Sequence, residues 1–467
     1  MRKQVKEYNY DWMIWSIINA ASKTYDGTDK EYRNLLPVAP HFKDVLDIIL
    51  RQGEPGILLL KALSKYIKAL LTAHERGKKI ALVSYCFPPT ILYALDVVPL
   101  SIEVMTTLGS FVWKRGIYDY LDYCCEVGFT ETSCTAQRGA LGAYLAGLGE
   151  KPDFVLCVSP GFCDTNANSF AFASEYLNIP LCQLNSPPTL TDERATEYQR
   201  EDFRYMIAFI EEQTGTKLDI DKLREVTKEA AKQDELLSEI QDLERLIPNP
   251  VPGIFNLFIF GAKFTFGGKK ECTAEFESML KTAKRNAARE IAGTSSGKER
   301  ARGFCCYIEH FTTDLRFWEW MDKNDISYLG SMLDIFWQVG APYAKGKESE
   351  EYSISDLSLD NMIDSLAAQM TRMPMPKQIR GPYDAPGMWL DDTIGASKTF
   401  KTDFIAYLGT MGCRNTWGMV KLLARDTEKL GIPTIILYAD SWDDRVESWN
   451  SITDRLDEFL TVRRILK

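Results

Sequence analysis

Two stretches of the chain share one layout. DFVLCVSPGFC runs from Asp153 to Cys163, and DFIAYLGTMGC runs from Asp403 to Cys413. In each, an Asp-Phe pair opens a short apolar run, a turn containing glycine follows, and a cysteine closes the stretch at the same offset. Read as strand, turn and helix, both thiols fall beyond the carboxyl end of a strand and just before a helix, where open α/β sheets bind ligands. The unpaired N–H groups of a helix start favour an anion and lower a thiol's pKa. Taken singly, each cysteine also reads as a buried core thiol; the matched layout makes the pair candidate ligands. Two thiolates are too few for a typical cluster. The best third is Cys134, in ETSCTAQRGALGAYLAG, at the start of a small-residue helix. Arg138, one turn on, is placed to pair with cluster or substrate charge.

The inventory of donors supports soft ligation. The 467 residues include eleven cysteines but only three histidines, His41, His74 and His310. An odd cysteine count in a chain too large to need staples points to a reducing compartment, with thiols that are buried, catalytic or metal-binding. Thiolate-rich, histidine-poor composition favours iron or iron–sulfur over zinc. The net charge of −10, without a long basic block, argues against a nucleic-acid groove and against attraction to anionic lipid. The first residues, MRKQVKEYNYDWMIW, do not read as a signal peptide. The greasiest stretch, Gly253–Gly267, carries Lys263 and is too short to span a bilayer. No membrane association and a cytoplasmic location are therefore expected.

The elements that must hold these thiols follow from periodicity. Residues 1–76 read as an N-terminal helical segment; GILLLKALSKYIKALL, from Gly56, has apolar residues at helical spacing. From Ile80 the rhythm becomes β-α-β, with strands in IALVSYCFPP, PDFVLCVSPGFCD and IPLCQLNSPP. A long polar helix from Leu218 stops at Pro248, Pro250 and Pro252, which closes a first α/β domain at residues 77–252. Residues 253–298 form a helical connector. Strands in GFCCYIEH, TDFIAYLG and PTIILYAD then build a second α/β domain at 299–467. TDFIAYLGTMGC–helix–GIPTIILYAD repeats PDFVLCVSPGFC–helix–NIPLCQLNS, including the Ile-Pro before the last strand. The expected fold is α/β: two Rossmann-like parallel-sheet domains facing one cleft, with Cys134, Cys163 and Cys413 converging there, their sulfurs within about 7 Å of one another. Residues 344–392, rich in Ser, Met, Pro and Asp, read as irregular, a lid or interface loop.

From about Gly77 onward the chain resembles the 2-hydroxyacyl-CoA dehydratase and benzoyl-CoA reductase family. The resemblance rests on the order and spacing of GKK…SYCFPP, CTAQR, GFCD with NIPLCQLNSPP, TGTKLDIDKLREV, GTMGC and GIPTIILYADSWDDR. It implies a [4Fe–4S] cluster held by three cysteines between the two domains, at positions matching Cys134, Cys163 and Cys413, with one iron open. It implies one-electron reduction of a CoA thioester, fed by a separate ATP-hydrolysing iron–sulfur activator, and a related second cluster-bearing subunit. No Walker A motif is present, so ATP hydrolysis belongs to another protein. Ser84, Tyr85 and Cys86 are the candidates for lining the open iron. The family's Pro-x-Glu after the first strand is Pro88-Pro89-Thr90 here.

Four further readings accompany this one: reduction rather than dehydration, an electron-relay subunit without its own substrate site, a double-cubane reductase that uses the extra pairs Cys124–Cys125 and Cys305–Cys306, and a thiol-only α/β protein without metal. The pairs lack the strand–turn–helix setting, so one cluster is expected, with at most one thiol of each pair facing the cleft. GTSSG, Gly293–Gly297, matches a nucleophile-elbow pattern but lacks a preceding strand and reads as a solvated turn. His310 is a structural or proton-shuttling histidine, and Phe317–Met321 is a core-facing helix.

Overall fold

The computed structural model describes residues 9–23, 42–84, 87–113, 117–158, 163–185, 193–305, 315–331, 354–371, 388–410, 412–413 and 420–466. Among the described residues, three α-helices come first: α1 (Tyr10–Ala21), α2 (Phe42–Arg51) and α3 (Glu54–Leu71). Asn9 caps α1, its side chain accepting from the Trp12 N–H at 2.8 Å. The α2–α3 corner is tight. A Cβ on Gly56 would stand 2.1 Å from the Ile49 carbonyl oxygen, so no larger residue fits there.

The first sheet contains β1 (Ile80–Val83), β2 (Val98–Ser101), β3 (Phe154–Val158) and β4 (Leu181–Leu184). Between them lie α4 (Thr90–Ala94), α5 (Ile102–Val112), α6 (Tyr118–Glu126), α7 (Thr135–Leu145) and α8 (Asp164–Leu177). Then come α9 (Glu193–Thr214), α10 (Ile220–Glu244), α11 (Phe255–Phe266) and α12 (Lys270–Ala288). The second half holds β5 (Ala301–Cys305), α13 (Arg316–Lys323), β6 (Ile326–Ser331), α14 (Leu359–Thr371), α15 (Met388–Thr399), β7 (Phe404–Thr410), α16 (Val420–Lys429), β8 (Thr434–Ala439) and α17 (Trp449–Val462).

Among the described residues each sheet has four parallel strands, ordered β2-β1-β3-β4 and β6-β5-β7-β8. The orders are the same once β1 is matched to β5, so the two halves repeat one topology. The repeat extends to single hydrogen bonds. Asp153 accepts from the Ile80 N–H at 2.8 Å, and Asp403 accepts from the Arg302 N–H at 2.9 Å. Each aspartate's own N–H returns to that residue's carbonyl, at 2.8 and 2.9 Å. The N–H two residues on binds Pro180 O in one half and Pro433 O in the other, both at 2.8 Å. The Asp-Phe and Ile-Pro signatures are thus register pins. They fix the start of the third strand against both neighbours. Burial alone would raise the Asp153 pKa, but the Ile80 N–H, Lys79 and His74 outweigh it and hold the carboxyl below its usual range.

Two of the four edge strands among the described residues, β2 and β6, are absent from the sequence reading. β2 is only VPLS, and its Pro99 sits in an edge strand, where a missing N–H is tolerated. Within 344–392, expected to be irregular, α14 is a regular helix whose Met362 and Leu366 are buried; 344–353 and 372–387 lie outside the described residues. As expected, α13 buries Phe317, Trp318, Trp320 and Met321. Gly293–Gly297 is a turn, closed by the Ala292 N–H on Gly297 O. α3 packs on α1, α11 and α12, and α10 packs on α12, so the N-terminal helices and the helices after β4 form one layer.

Candidate functional site

Cys134 and Cys163 are the N-cap residues of α7 and α8. Cys413 follows the end of β7 in a turn whose N–H binds Thr410 O at 2.9 Å. All three line a single cavity of about 130 Å³. The halves meet closely there. A Cβ on Gly412 would lie 2.7 Å from Cys134 Cα and 2.9 Å from its nitrogen, so only a glycine lets the second half approach this backbone. Cys134 also stands at a helix start, but there the helix terminus does not lower the thiol pKa. Burial pushes its pKa well above the ordinary value, and Cys413, Cys163 and Asp440 push it further; the Ala136 N–H opposes this weakly. Removal from water, reinforced by other acidic groups, outweighs the helix terminus. Among the described residues, no three His, Cys, Asp or Glu side chains close around a point that would hold a single metal ion.

The segment Ala439–Arg445 clasps the halves at this place. Asp440, just past β8, accepts from the Thr135 hydroxyl at the first residue of α7 and from the N–H groups of Trp442 and Asp443 at 3.0 and 3.1 Å. Burial lifts its pKa to about 6 against these donors. The Trp442 indole N–H donates to Thr107 on α5 at 3.1 Å. Arg445 donates to both Asp122 oxygens at 3.0 Å and stacks on Tyr118. The ADSWDDR stretch therefore joins the second sheet to the elements that carry Cys134.

Other candidates lie elsewhere. Arg138 does not turn its charge to the cavity: its guanidinium donates to the carbonyls of Ser133, Glu131 and Leu121 and to Cys125 Sγ, bracing the loop that leads into Cys134. Two carbonyls of that loop, Ser133 O and Glu131 O, and two groups of α6, Leu121 O and Cys125 Sγ, take its hydrogen bonds. Cys124 is buried and donates to Arg138 O at 3.2 Å, and neither Cys124 nor Cys125 lines the cavity. Cys305 is buried in the core, while Cys306, His41 and His310 lie outside the described residues. Ser84 is buried at the end of β1 without lining the cavity, its carbonyl accepting from the Phe87 N–H. Tyr85 and Cys86 lie outside the described residues.

The sequence reading missed Gln137, Thr165 and Asn166, which line the thiol end of the cavity. Gln137 and Asn166 are 2% and 1% exposed, and their Oε1 and Oδ1 have no hydrogen-bond partner. The signal was available: each amide stands three residues after a candidate ligand, one turn into the same helix. Away from the thiols the wall is apolar, built from α3, α5 and α11.

Two parallel α/β halves with thiols at the carboxyl ends of matched strands define the class of fold. The chain belongs to the family described as "2-hydroxyglutaryl-CoA dehydratase, D-component", which matches residues 84–462. It is 27% identical over 269 residues to the (R)-phenyllactyl-CoA dehydratase alpha subunit of Clostridium sporogenes, covering 52% of this chain and 63% of that one. It is 22% identical over 363 residues to a benzoyl-CoA reductase subunit of Thauera aromatica, covering 72% and 77%. With the (R)-2-hydroxyglutaryl-CoA dehydratase alpha subunit of Acidaminococcus fermentans it shares 28% identity over 172 residues, 36% and 35% of the two chains. The matched stretch thus spans less than two thirds of the first of these relatives. No helix among the described residues is long and apolar enough to cross a membrane.

Proposed function

We propose that this chain is the iron–sulfur subunit of a 2-hydroxyacyl-CoA dehydratase or an aryl-CoA reductase-type enzyme, with Cys134, Cys163 and Cys413 as the ligands of one [4Fe–4S] cluster. The observation that carries this is the meeting of three thiols, from both halves of the chain, on one cavity. Their chemistry fits the group. Thiolates are the ligands of iron–sulfur clusters, and each of a cubane's ligands binds a different iron, so they need not close around one point. When bound, the cluster supplies single electrons at low potential and, with three protein ligands, one iron open to a substrate oxygen.

The chain's own residues then have separate tasks. The three thiols would give up their protons on binding iron, whose positive charge would offset the burial and the neighbouring acidic groups that hold Cys134's pKa up. The Ala439–Arg445 clasp and Gly412 hold Cys134 and Cys413 at a fixed separation. Tyr85 and Cys86, following Ser84 off the end of β1, are assigned to the rim of the open iron. The apolar wall keeps water from the reacting thioester. A cavity that reaches the thiols supports substrate binding here over a relay role, and Cys124 and Cys125, held by Arg138, support one cubane over two. The relatives are subunits of larger enzymes, so a related second subunit and an ATP-hydrolysing activator are proposed partners.

Anaerobic purification followed by iron and sulfide analysis tests the reading. About four of each per chain are expected, with most lost on replacing Cys134, Cys163 or Cys413 by serine. A protein that takes up no iron after anaerobic reconstitution overturns it.

A further inference from the structure

We infer that a pocket at the opposite end of the first sheet from the thiols binds a phosphate ester of nucleotide size. The inference is independent of the proposed cluster, because this pocket shares no lining residue with the thiol cavity. It sits where Lys78 leads into β1 and Val98 begins β2, at the amino ends of the parallel strands, whereas Cys163 follows the carboxyl end of β3. Its walls lie within three unbroken described stretches, 62–78, 93–98 and 266–271.

Charge is the first observation. In a chain of net charge −10, the pocket gathers five cationic side chains, Lys65, Lys68, Arg76, Lys78 and Lys269, against the carboxylates of Asp96 and Glu271. Both carboxylates are engaged: Glu271 by Lys65, and Asp96 by Lys78 at 2.7 Å and Lys222 at 2.6 Å. Among the described residues no carboxylate pairs with Lys68, Arg76 or Lys269. Arg76 donates through Nε and Nη2 to the carbonyls of Thr72 and Ala69, which leaves Nη1 for a ligand. A phosphate accepts from several directions at once, which suits cations that arrive from α3, from the turn before β1 and from the start of α12.

Lys269 supplies the second observation. It is half-buried, with Nζ 4.6 Å from the centre of the Tyr93 ring. Burial holds its pKa below the usual lysine range, and Lys65 and Lys78 push the same way against Glu271 and Asp96. Folding has thus taken water from a cation and set it beside other cations, an arrangement that a bound anion stabilises. The backbone adds to this. Gly268, at φ +83°, turns the chain of FGGKKEC into α12. Lys269 is the N-cap residue of that 19-residue helix, and no side chain caps its start. The positive end of the helix therefore lies at the pocket.

The volume sets the size of the ligand. It is about 380 Å³, within the roughly 300–1,000 Å³ of small-molecule sites, and Ala62, Ala69 and Phe266 give it an apolar side. Inorganic phosphate leaves that side bare, while a nucleotide covers it.

A free nucleotide and the nucleotide end of CoA carry the same chemistry. Titration calorimetry of the full chain with inorganic phosphate, pyrophosphate, ADP and CoA separates them. ADP should bind about 10-fold or more tighter than inorganic phosphate. Lys68→Met and Lys269→Met keep the apolar stem and remove the charge. Each should weaken ADP about 10-fold, while Lys421→Met, at an exposed lysine of α16, should change nothing. Circular dichroism should show all three variants folded. If the site takes free nucleotides, the two pocket variants leave CoA binding unaffected; if it takes the nucleotide end of CoA, they weaken CoA as much as ADP. No binding of any of the four at millimolar concentration, or binding that both pocket variants leave unchanged or that Lys421→Met weakens equally, overturns the inference. Iron content, which none of these substitutions should alter, reports on the proposed function separately.

Discussion

Replacing Gly412 by alanine adds one methyl group where the two halves touch. Its Cβ would stand 2.7 Å from Cys134 Cα, 2.9 Å from Cys134 N and 2.9 Å from the Ser133 carbonyl carbon. All three are backbone atoms, so no side chain can swing aside. Ordinary carbon contacts begin near 3.5 Å, so the Gly412 and Cys134 backbones must part by roughly 0.8 Å. Overpacking of this kind costs about 1–3 kcal/mol, which a chain of this size survives. Metal–ligand distances, in contrast, tolerate only about 0.2 Å. The variant should therefore remain folded by circular dichroism, with a modest drop in denaturant midpoint, and should retain less than half of the wild-type iron after anaerobic reconstitution. Gly395→Ala is the matched control: it lies inside α15 with nothing within 4 Å of its added Cβ, and should keep both iron and stability. A Gly412→Ala protein with full iron content and unchanged stability would refute the claim that close approach at this glycine sets the thiol geometry.

Cys124→Ser should leave iron at about four per chain, because Cys124 faces Arg138 O rather than the cavity; a loss of iron, or about eight irons in the wild type, would favour a second cubane. Arg302→Met should cost about 3–5 kcal/mol in urea unfolding, since the side chains of Arg302 and Glu299 are only 4% and 6% exposed and the guanidinium also donates to the carbonyls of Phe400, Leu246 and Glu244. Asp11 is buried, which lifts its pKa to about 6 against the donors Glu150 N–H and Tyr144 O–H. Because the folded value is the higher one, its contribution to stability is full below about pH 4 and is lost as pH rises through 6. Comparing urea midpoints at pH 4 and pH 7, Asp11→Asn should abolish a decline of about 3 kcal/mol that the wild type shows through this group.

The repeat was legible because its signatures do mechanical work in the backbone. Asp153 and Asp403 pin one strand, and Pro180 and Pro433 accept from it, so selection for register leaves the same letters twice. The edge strands β4 and β8 were legible, but β2 left a weaker trace. β2 pairs on one side only, and four residues containing Pro99 give no alternation to read. Residue spacing put Arg138 near Cys134 but could not tell which way a long side chain turns; the loop carbonyls of Ser133 and Glu131 and the α6 carbonyl of Leu121 decide that. Apolar periodicity identified α3 as a core-facing helix. It did not show that part of that face, at Leu60 and Leu63, borders a cavity, because cavity and core demand the same side chains.

The clasp and the Gly412 contact also govern when, during synthesis, the site comes into being. Cys134 and Cys163 leave the ribosome with the first sheet, but Cys413 follows about 280 residues after Cys134, and the clasp at Ala439–Arg445 later still. At roughly 5–20 residues per second, the first two thiols wait tens of seconds for the third. A chain that stops before Cys413 lacks one wall of this cavity and the clasp that closes it. Closure of the site thus reports that both halves have been made and have met, and it confines assembly of any bound group to a chain that carries both.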